Sequence, residues 1–171
     1  MWNCKKLYGL SQEEIECHFS EVKIVLKKIL CQNIYDMATF ERYLEGQIQE
    51  YEYAKGGRDI RRGFYHPNPV VEVYIKGVKR GRLLKDAKGK YDFAYGFDAQ
   101  KQLRTVVGPM GCQETEKIYI FPYKDFMIGF CFMEDSLSKE WFLHAIEFCK
   151  YDNNQIEQYY VISIDKHEVN S

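Results

Sequence analysis

Apolar residues recur in this 171-residue chain with two different periods, and the change of period limits its fold more than any other feature. Ile15, Phe19, Val22, Leu26 and Ile29 stand three or four apart, the spacing of one face of an α-helix. Phe40, Leu44, Ile48 and Tyr51 repeat that spacing. Beyond Gly56-Gly57 the apolar residues alternate instead, as they do in strands with one buried face. Helices first and hairpin-linked strands afterwards define an α+β chain. The expected architecture is two N-terminal helices packed on a curled antiparallel β-meander of about eight strands. One domain over 1–171 is expected, helical over 1–57 and antiparallel over 58–171.

Local signals place the elements. Ser11 with Glu14 reads as a capping box that starts the first helix, which ends near Cys31. The second helix is predicted over 37–54, stopped by Gly56-Gly57. Pro67 and Pro69 exclude a central strand and make the segment around them a basic loop. Strands are predicted over 70–76, 78–85, 90–97 and 103–107, with a turn at 86–89. Gly108-Pro109-Met110-Gly111 interrupts the pattern, and 114–116 reads as polar loop. A hairpin follows over 117–121 and 126–133. The segment 138–150 fits a helix through Leu137, Trp141, Ala145 and Phe148. It also alternates, with Phe142, His144, Ile146 and Phe148 on one face, and a turn follows directly, so it is read as a strand pairing with 156–164.

Composition excludes several classes. At 46% hydrophobic and 29% charged the chain is globular rather than disordered. No run approaches the roughly 20 apolar residues of a membrane-spanning helix. The N-terminal MWNCKKLYGLSQEE turns polar too early for a secretory signal, so a cytoplasmic location is expected. Six scattered cysteines without a C-x-x-C pair read as buried free thiols in a reducing compartment. Four histidines lack H-x-x-H or H-x-x-x-H spacing, so neither a metal nor a cofactor is expected. Cys17 and His18 are neighbours on a helix and point about 100° apart, which makes them a core thiol beside a surface histidine rather than a nucleophile and its base. His66 is the histidine best placed for proton transfer, but no second acid or base accompanies it at a matching spacing, and His144 reads as a satisfied interior histidine. The residues therefore describe a binding protein and not an enzyme.

Charge is segregated beneath a formal net charge of −1: residues 55–90 carry a balance of +8 between an N-terminal part at −3 and a C-terminal part at −6. Arg58, Arg61, Arg62, Lys79, Arg80 and Arg82, with Phe64 and Tyr65 beside them, have the composition of a nucleic-acid-binding face. Glu114, Glu116, Glu134, Asp135 and Glu140 form the opposing candidate, an acidic surface for a protein partner.

The stretch Gly96-Phe97-Asp98-Ala99-Gln100-Lys101-Gln102-Leu103-Arg104-Thr105-Val106 resembles the YD repeat of Rhs-type proteins. Phe97 stands where that repeat has tyrosine, and Lys101 where it has glycine. Tyr151-Asp152-Asn153-Asn154 is a second, poorer copy. In size, in its lack of a signal and in its lack of a catalytic pattern the chain is similar to the immunity proteins of Rhs and contact-dependent toxins. That resemblance implies a protein that occludes one cognate toxin in a one-to-one complex, commonly through an acidic surface. The alternative reading is a nucleic-acid-binding module using residues 58–90.

Unpaired cysteines have a thermal consequence. Adding reductant is expected to leave the melting temperature unchanged within about 2 °C, where loss of a structural disulfide shifts it by far more. Differential scanning fluorimetry with and without reductant measures this.

Overall fold

The computed structural model describes residues 3–6, 11–31, 33–57, 63–65, 80–86, 90–110, 114–152 and 155–164. Helix α1 spans Gln12–Leu30. Ser11 caps it as its sequence predicts: the Glu14 backbone N–H donates to the serine oxygen, and the Ser11 N–H donates to the Glu14 carboxylate at 2.7 Å. Glu13 and Glu14 in its first turn and Lys27 and Lys28 in its last complement the helix dipole. Its buried face is Ile15, Phe19, Val22, Leu26 and Leu30. Ile29, expected inside, is half exposed, and Leu30 is buried in its place.

Helix α2 spans only Met37–Leu44, and the residues after it form strand β2, Ile48–Lys55. The helix expected over 37–54 is thus corrected to a helix and a strand. Gly46, at φ +76, turns the chain where a side chain would be strained. After it, Gln-Glu-Tyr-Glu-Tyr alternates, and the backbone finds a ladder partner in β4. Asp36 caps α2 by accepting from the Ala38 N–H at 3.1 Å.

Among the described residues the other strands are β1 (Asn3–Lys6), β3 (Arg82–Leu83), β4 (Phe93–Asp98), β5 (Leu103–Met110), β6 (Glu114–Tyr123), β7 (Phe126–Glu134), β8 (Trp141–Asp152) and β9 (Gln155–Ser163). They make one antiparallel sheet in the order β1-β9-β8-β7-β6-β5-β4-β2-β3, which does not close. The meander of the expectation is β4 to β9, and β8 makes 141–150 of the two-way segment strand, while 138–140 belong to the connection before it. Two further corrections concern β5 and β6. The ladder continues through Gly108 and Pro109, pairing them with Glu116 and Thr115, so neither the interruption at 108–111 nor the loop at 114–116 holds over those residues. Proline is tolerated there because the β4 ladder ends at Val107, so that among the described residues this end of β5 has a strand neighbour on one side only. Gly108 is needed by its neighbour: a Cβ there would lie 2.1 Å from the Phe93 ring. The strand expected over 70–76, residues 78–79 of that over 78–85, residues 87–89 of the turn and His66 lie outside the described residues; of 80–85 only Arg82–Leu83 are strand, which shortens that expectation to β3.

Side-chain alternation gives the sheet two apolar faces. The helices cover the first, where Tyr119, Phe121, Ile128, Phe130, Phe132, Ile146, Phe148 and Tyr160 join the α1 stripe. Phe40 of α2 is fully buried in the middle of it. Its ring centroid lies 5.0 Å from Phe130, 5.4 Å from Phe132 and 5.5 Å from both Tyr119 and Phe121. The second face gathers Phe93, Tyr95, Phe97, Val106, Ile118, Ile120, Cys131 and Ala145, with Phe64 and Tyr65 packed against them. The Phe64 N–H donates to the Tyr95 hydroxyl at 2.7 Å, and the Tyr65 hydroxyl donates to Glu52 at 2.6 Å. Burial and then the Glu52 carboxylate push the Tyr65 phenol up to about 12.

The β4–β5 hairpin carries the repeat-like stretch. One oxygen of Asp98 accepts from the N–H groups of Gln100 and Gln102, both at 2.9 Å, and the other from Arg104 Nε at 2.7 Å. Lys101, standing where the repeat pattern has glycine, adopts φ +60. The likeness is therefore one of turn chemistry at the two positions that shape the turn.

Two stability predictions follow from these contacts. Phe40→Ala should lower unfolding stability by about 3–5 kcal/mol in urea titration, because four rings lose their common partner. Asp98→Asn should cost on the order of 1–3 kcal/mol near pH 7. Burial pushes the Asp98 carboxyl up, but the Gln102 N–H, the Arg104 guanidinium and the Gln100 N–H outweigh burial and hold it below the ordinary range. A group depressed in the folded state adds stability above its unfolded pKa and loses it as the pH falls through the folded one. The gap between wild type and Asp98→Asn should accordingly narrow below about pH 4 in urea titrations run at stepped pH.

Candidate functional site

Strands β7 and β8 are joined by residues 135–140, and this connection is built from its own polar groups. Asp135 accepts from the N–H groups of Leu137 and Ser138, both at 2.9 Å. The Asp135 N–H donates to the Glu140 carbonyl and the Lys139 N–H to the Asp135 carbonyl, each at 2.9 Å. Lys139 sits at φ +62. These bonds hold Leu137 outward with 94% of its surface exposed. Glu134, with Lys139 Nζ 3.8 Å away, and the exposed Glu140 flank it. A large apolar side chain presented by a pinned, acidic hairpin is the most distinctive surface feature of the described residues.

The base of the hairpin connects to a groove. Trp141, opposite Glu134 in the ladder, carries Lys117 Nζ 4.8 Å from its ring. Lys117 donates to Glu41 of α2 at 2.9 Å, and the Tyr119 hydroxyl donates to the same oxygen at 3.1 Å. Burial, then the Glu41 charge, pushes the Tyr119 phenol far up, so it stays a donor. Beyond Lys117 the groove, about 590 Å³, runs between α2 and strands β2, β5 and β6. Glu41, Arg42, Glu45, Tyr51 and Thr105 line it. Opposed charges and one open aromatic ring suit contacts with another polypeptide better than a single small ligand.

Glu134, Asp135 and Glu140 are brought together by the hairpin, although Asp135 spends its carboxylate on the turn. Glu116 is not a surface group, which corrects that assignment. It shares the second sheet face with Ile118 and Ile120, and its Oε1 lies 2.9 Å from His144 Nε2. His144 is the extra residue of a bulge, since Cys131 pairs with Ala145 while Phe132 pairs with Leu143. The bulge is why His144 meets a carboxylate instead of the apolar face expected for it. Glu114 opens β6, and its side chain is outside what the structure describes. Arg58, Arg61, Arg62 and Lys79 lie outside the described residues. Arg80 donates to the Phe64 carbonyl at 3.1 Å, while Arg82 is exposed in β3. The expected environments of Cys17 and His18 are reversed: Cys17 is exposed, and His18 packs its ring 5.4 Å from Phe126. Cys31 is exposed as well, so buried thiols are found only at Cys131 and Cys149 among the described residues.

Leu137, Trp141, Lys117 and Glu41 were not singled out as site residues from the sequence. For Leu137 a signal existed, a lone large apolar residue inside Asp-Ser-Leu-Ser-Lys-Glu. The Glu41–Lys117–Trp141 chain joins three elements far apart in sequence and left none. Among the described residues no group of His, Cys, Asp and Glu side chains is placed to hold a metal ion, and no helix is long and apolar enough to cross a membrane. No protein-family model, no curated protein and no solved structure matches this chain.

Proposed function

We propose that this chain is a non-enzymatic binding protein of the immunity type, which neutralises a cognate bacterial toxin in the cytoplasm by covering its functional surface one-to-one. The observation that carries the reading is Leu137, held almost wholly in solvent by Asp135 and flanked by Glu134 and Glu140. Burying a leucine contributes roughly 1.5–3 kcal/mol, which this molecule forgoes in isolation and a partner with an apolar pocket recovers. A rigid tip costs little further ordering on binding. The flanking carboxylates select a basic partner and speed its approach more than they tighten the complex. The groove beside α2 extends that surface past Trp141, and a stable one-to-one complex would bury ~1,200–2,000 Å² in all.

The test is co-expression with the product of the adjacent toxin gene, followed by binding kinetics on the purified pair. Cells should survive only when this chain is present. Leu137→Asp should raise the dissociation rate about 10-fold or more. Reversing Glu134 and Glu140 to lysine, with the turn-forming Asp135 retained, should slow association several-fold and flatten its dependence on salt. Absence of protection and of a complex overturns the proposal. Submicromolar binding to nucleic acid at physiological salt, lost in Arg82→Ala with Arg80→Ala, would install the nucleic-acid reading instead.

A further inference from the structure

The face of α1 turned away from the sheet is not uniformly polar. Cys17 and Ile24 stand seven residues apart on α1, two helical turns, and so follow one line with a drift of only about 20°; Cys31, seven further on, is the C-cap just past the last turn, in the left-handed region at φ +54. All three are exposed, Ile24 by 57%, and the line lies opposite the buried stripe of Ile15, Phe19, Val22, Leu26 and Leu30. The two cysteines are nevertheless evenly spaced about Ile24. Each cysteine is about 10 Å along the axis from Ile24, one toward each end of the helix.

We infer that this face of α1 is a docking surface for a second copy of the chain, with the two helices antiparallel and Ile24 packed on Ile24 at the two-fold axis. Charge decides the partner and its direction. Glu13, Glu14, Glu16 and Glu21 fill the first half of the helix, and Lys23, Lys27 and Lys28 the second. A parallel copy would set like charges side by side; an antiparallel one sets acidic half against basic half. Glu21 and Lys28 lie on the same flank of the Ile24 line, so the two-fold brings Glu21 beside Lys28 of the partner subunit and repeats that pair. Cys17 then meets Cys31 of the partner subunit at both ends. Ser20, one turn before Ile24, is small enough to let the backbones approach. This surface is separate from the hairpin of the proposed toxin contact: Glu21 contacts the β6–β7 turn through Lys124, and Leu137 lies past the other end of β7.

One helix pair is smaller than a standard interface, so the dimer should be weak, with a dissociation constant on the order of 10–100 μM. Sedimentation velocity across that range should show monomer passing to dimer, with Ile24→Glu raising the constant about tenfold or more. Its circular dichroism and melting should match wild type, because Ile24 lies on the exposed face of α1, outside the buried stripe. Pairing direction is read with a short bis-maleimide and mass spectrometry of the linked peptides. Wild type should give the Cys17–Cys31 intermolecular link. Cys17→Ser and Cys31→Ser should each lose it alone, and an equimolar mixture of the two should regain it. A monomer at every concentration overturns the inference. So do links joining Cys17 to Cys17 or Cys31 to Cys31, which report a parallel pair, and links confined to other cysteines.

Discussion

Phe40 sits where two separately encoded parts of the chain meet. Its ring fills the space among Tyr119, Phe121, Phe130 and Phe132, four aromatics on two neighbouring strands, and with the buried Leu44 and the Tyr43 ring on Phe121 it fixes α2 to the sheet. An eight-residue helix is too short to persist by its own hydrogen bonds. Its existence rests on the Asp36 cap at one end and on Phe40 in the core. Because Phe40 is anchored, Glu41 next to it is delivered to Lys117 and Tyr119, and Lys117 in turn lies over Trp141. The groove wall and the footing of the Leu137 hairpin thus depend on one buried ring.

The sheet reconciles two demands that a single apolar face would not. Its first face is nearly all aromatic and aliphatic, covered by helices that supply their own polar surface. Its second face is mixed, with Phe93, Tyr95 and Val106 on the β4–β5 side and the Glu116–His144 pair near β8. A buried carboxylate there is tolerated because it has a hydrogen-bonding partner, and the partner is present because β8 bulges at residue 144. The bulge also keeps Leu143 on the helical face with Ile146 and Phe148. One irregular residue therefore serves both faces at once.

The two proposed surfaces differ in how they are held. The Leu137 hairpin is stiffened by hydrogen bonds within five residues, and its apolar side chain has no reason in the monomer to stand outside. The α1 line is part of a helix whose other face is already committed to the core, so it is rigid without dedicated bonds. Both present small apolar areas among ordered charges, which favours contacts that are selective in partner and direction before they are strong.

Features that depend on residues within a few positions were determined by the sequence alone. The capping box at Ser11, the Asp98 turn and the placing of both helices ahead of the β4–β9 meander were legible, since they rest on near neighbours in the chain; that Asn3–Lys6 forms a strand against β9 was not. What depended on distant partners was decided only by tertiary structure. Ile48 and Tyr51 continued the helical spacing of Phe40 and Leu44 and were read as helix, and pairing with β4 made residues 48–55 strand. Pro109 entered a ladder because β4 had already ended beside it. Glu116 left the surface because the bulge brought His144 to it. Cys17 faced solvent because Ile15, Phe19 and Val22 took the sheet side of the helix. Local bonding carries its partner in the sequence; burial depends on what arrives from elsewhere in the chain.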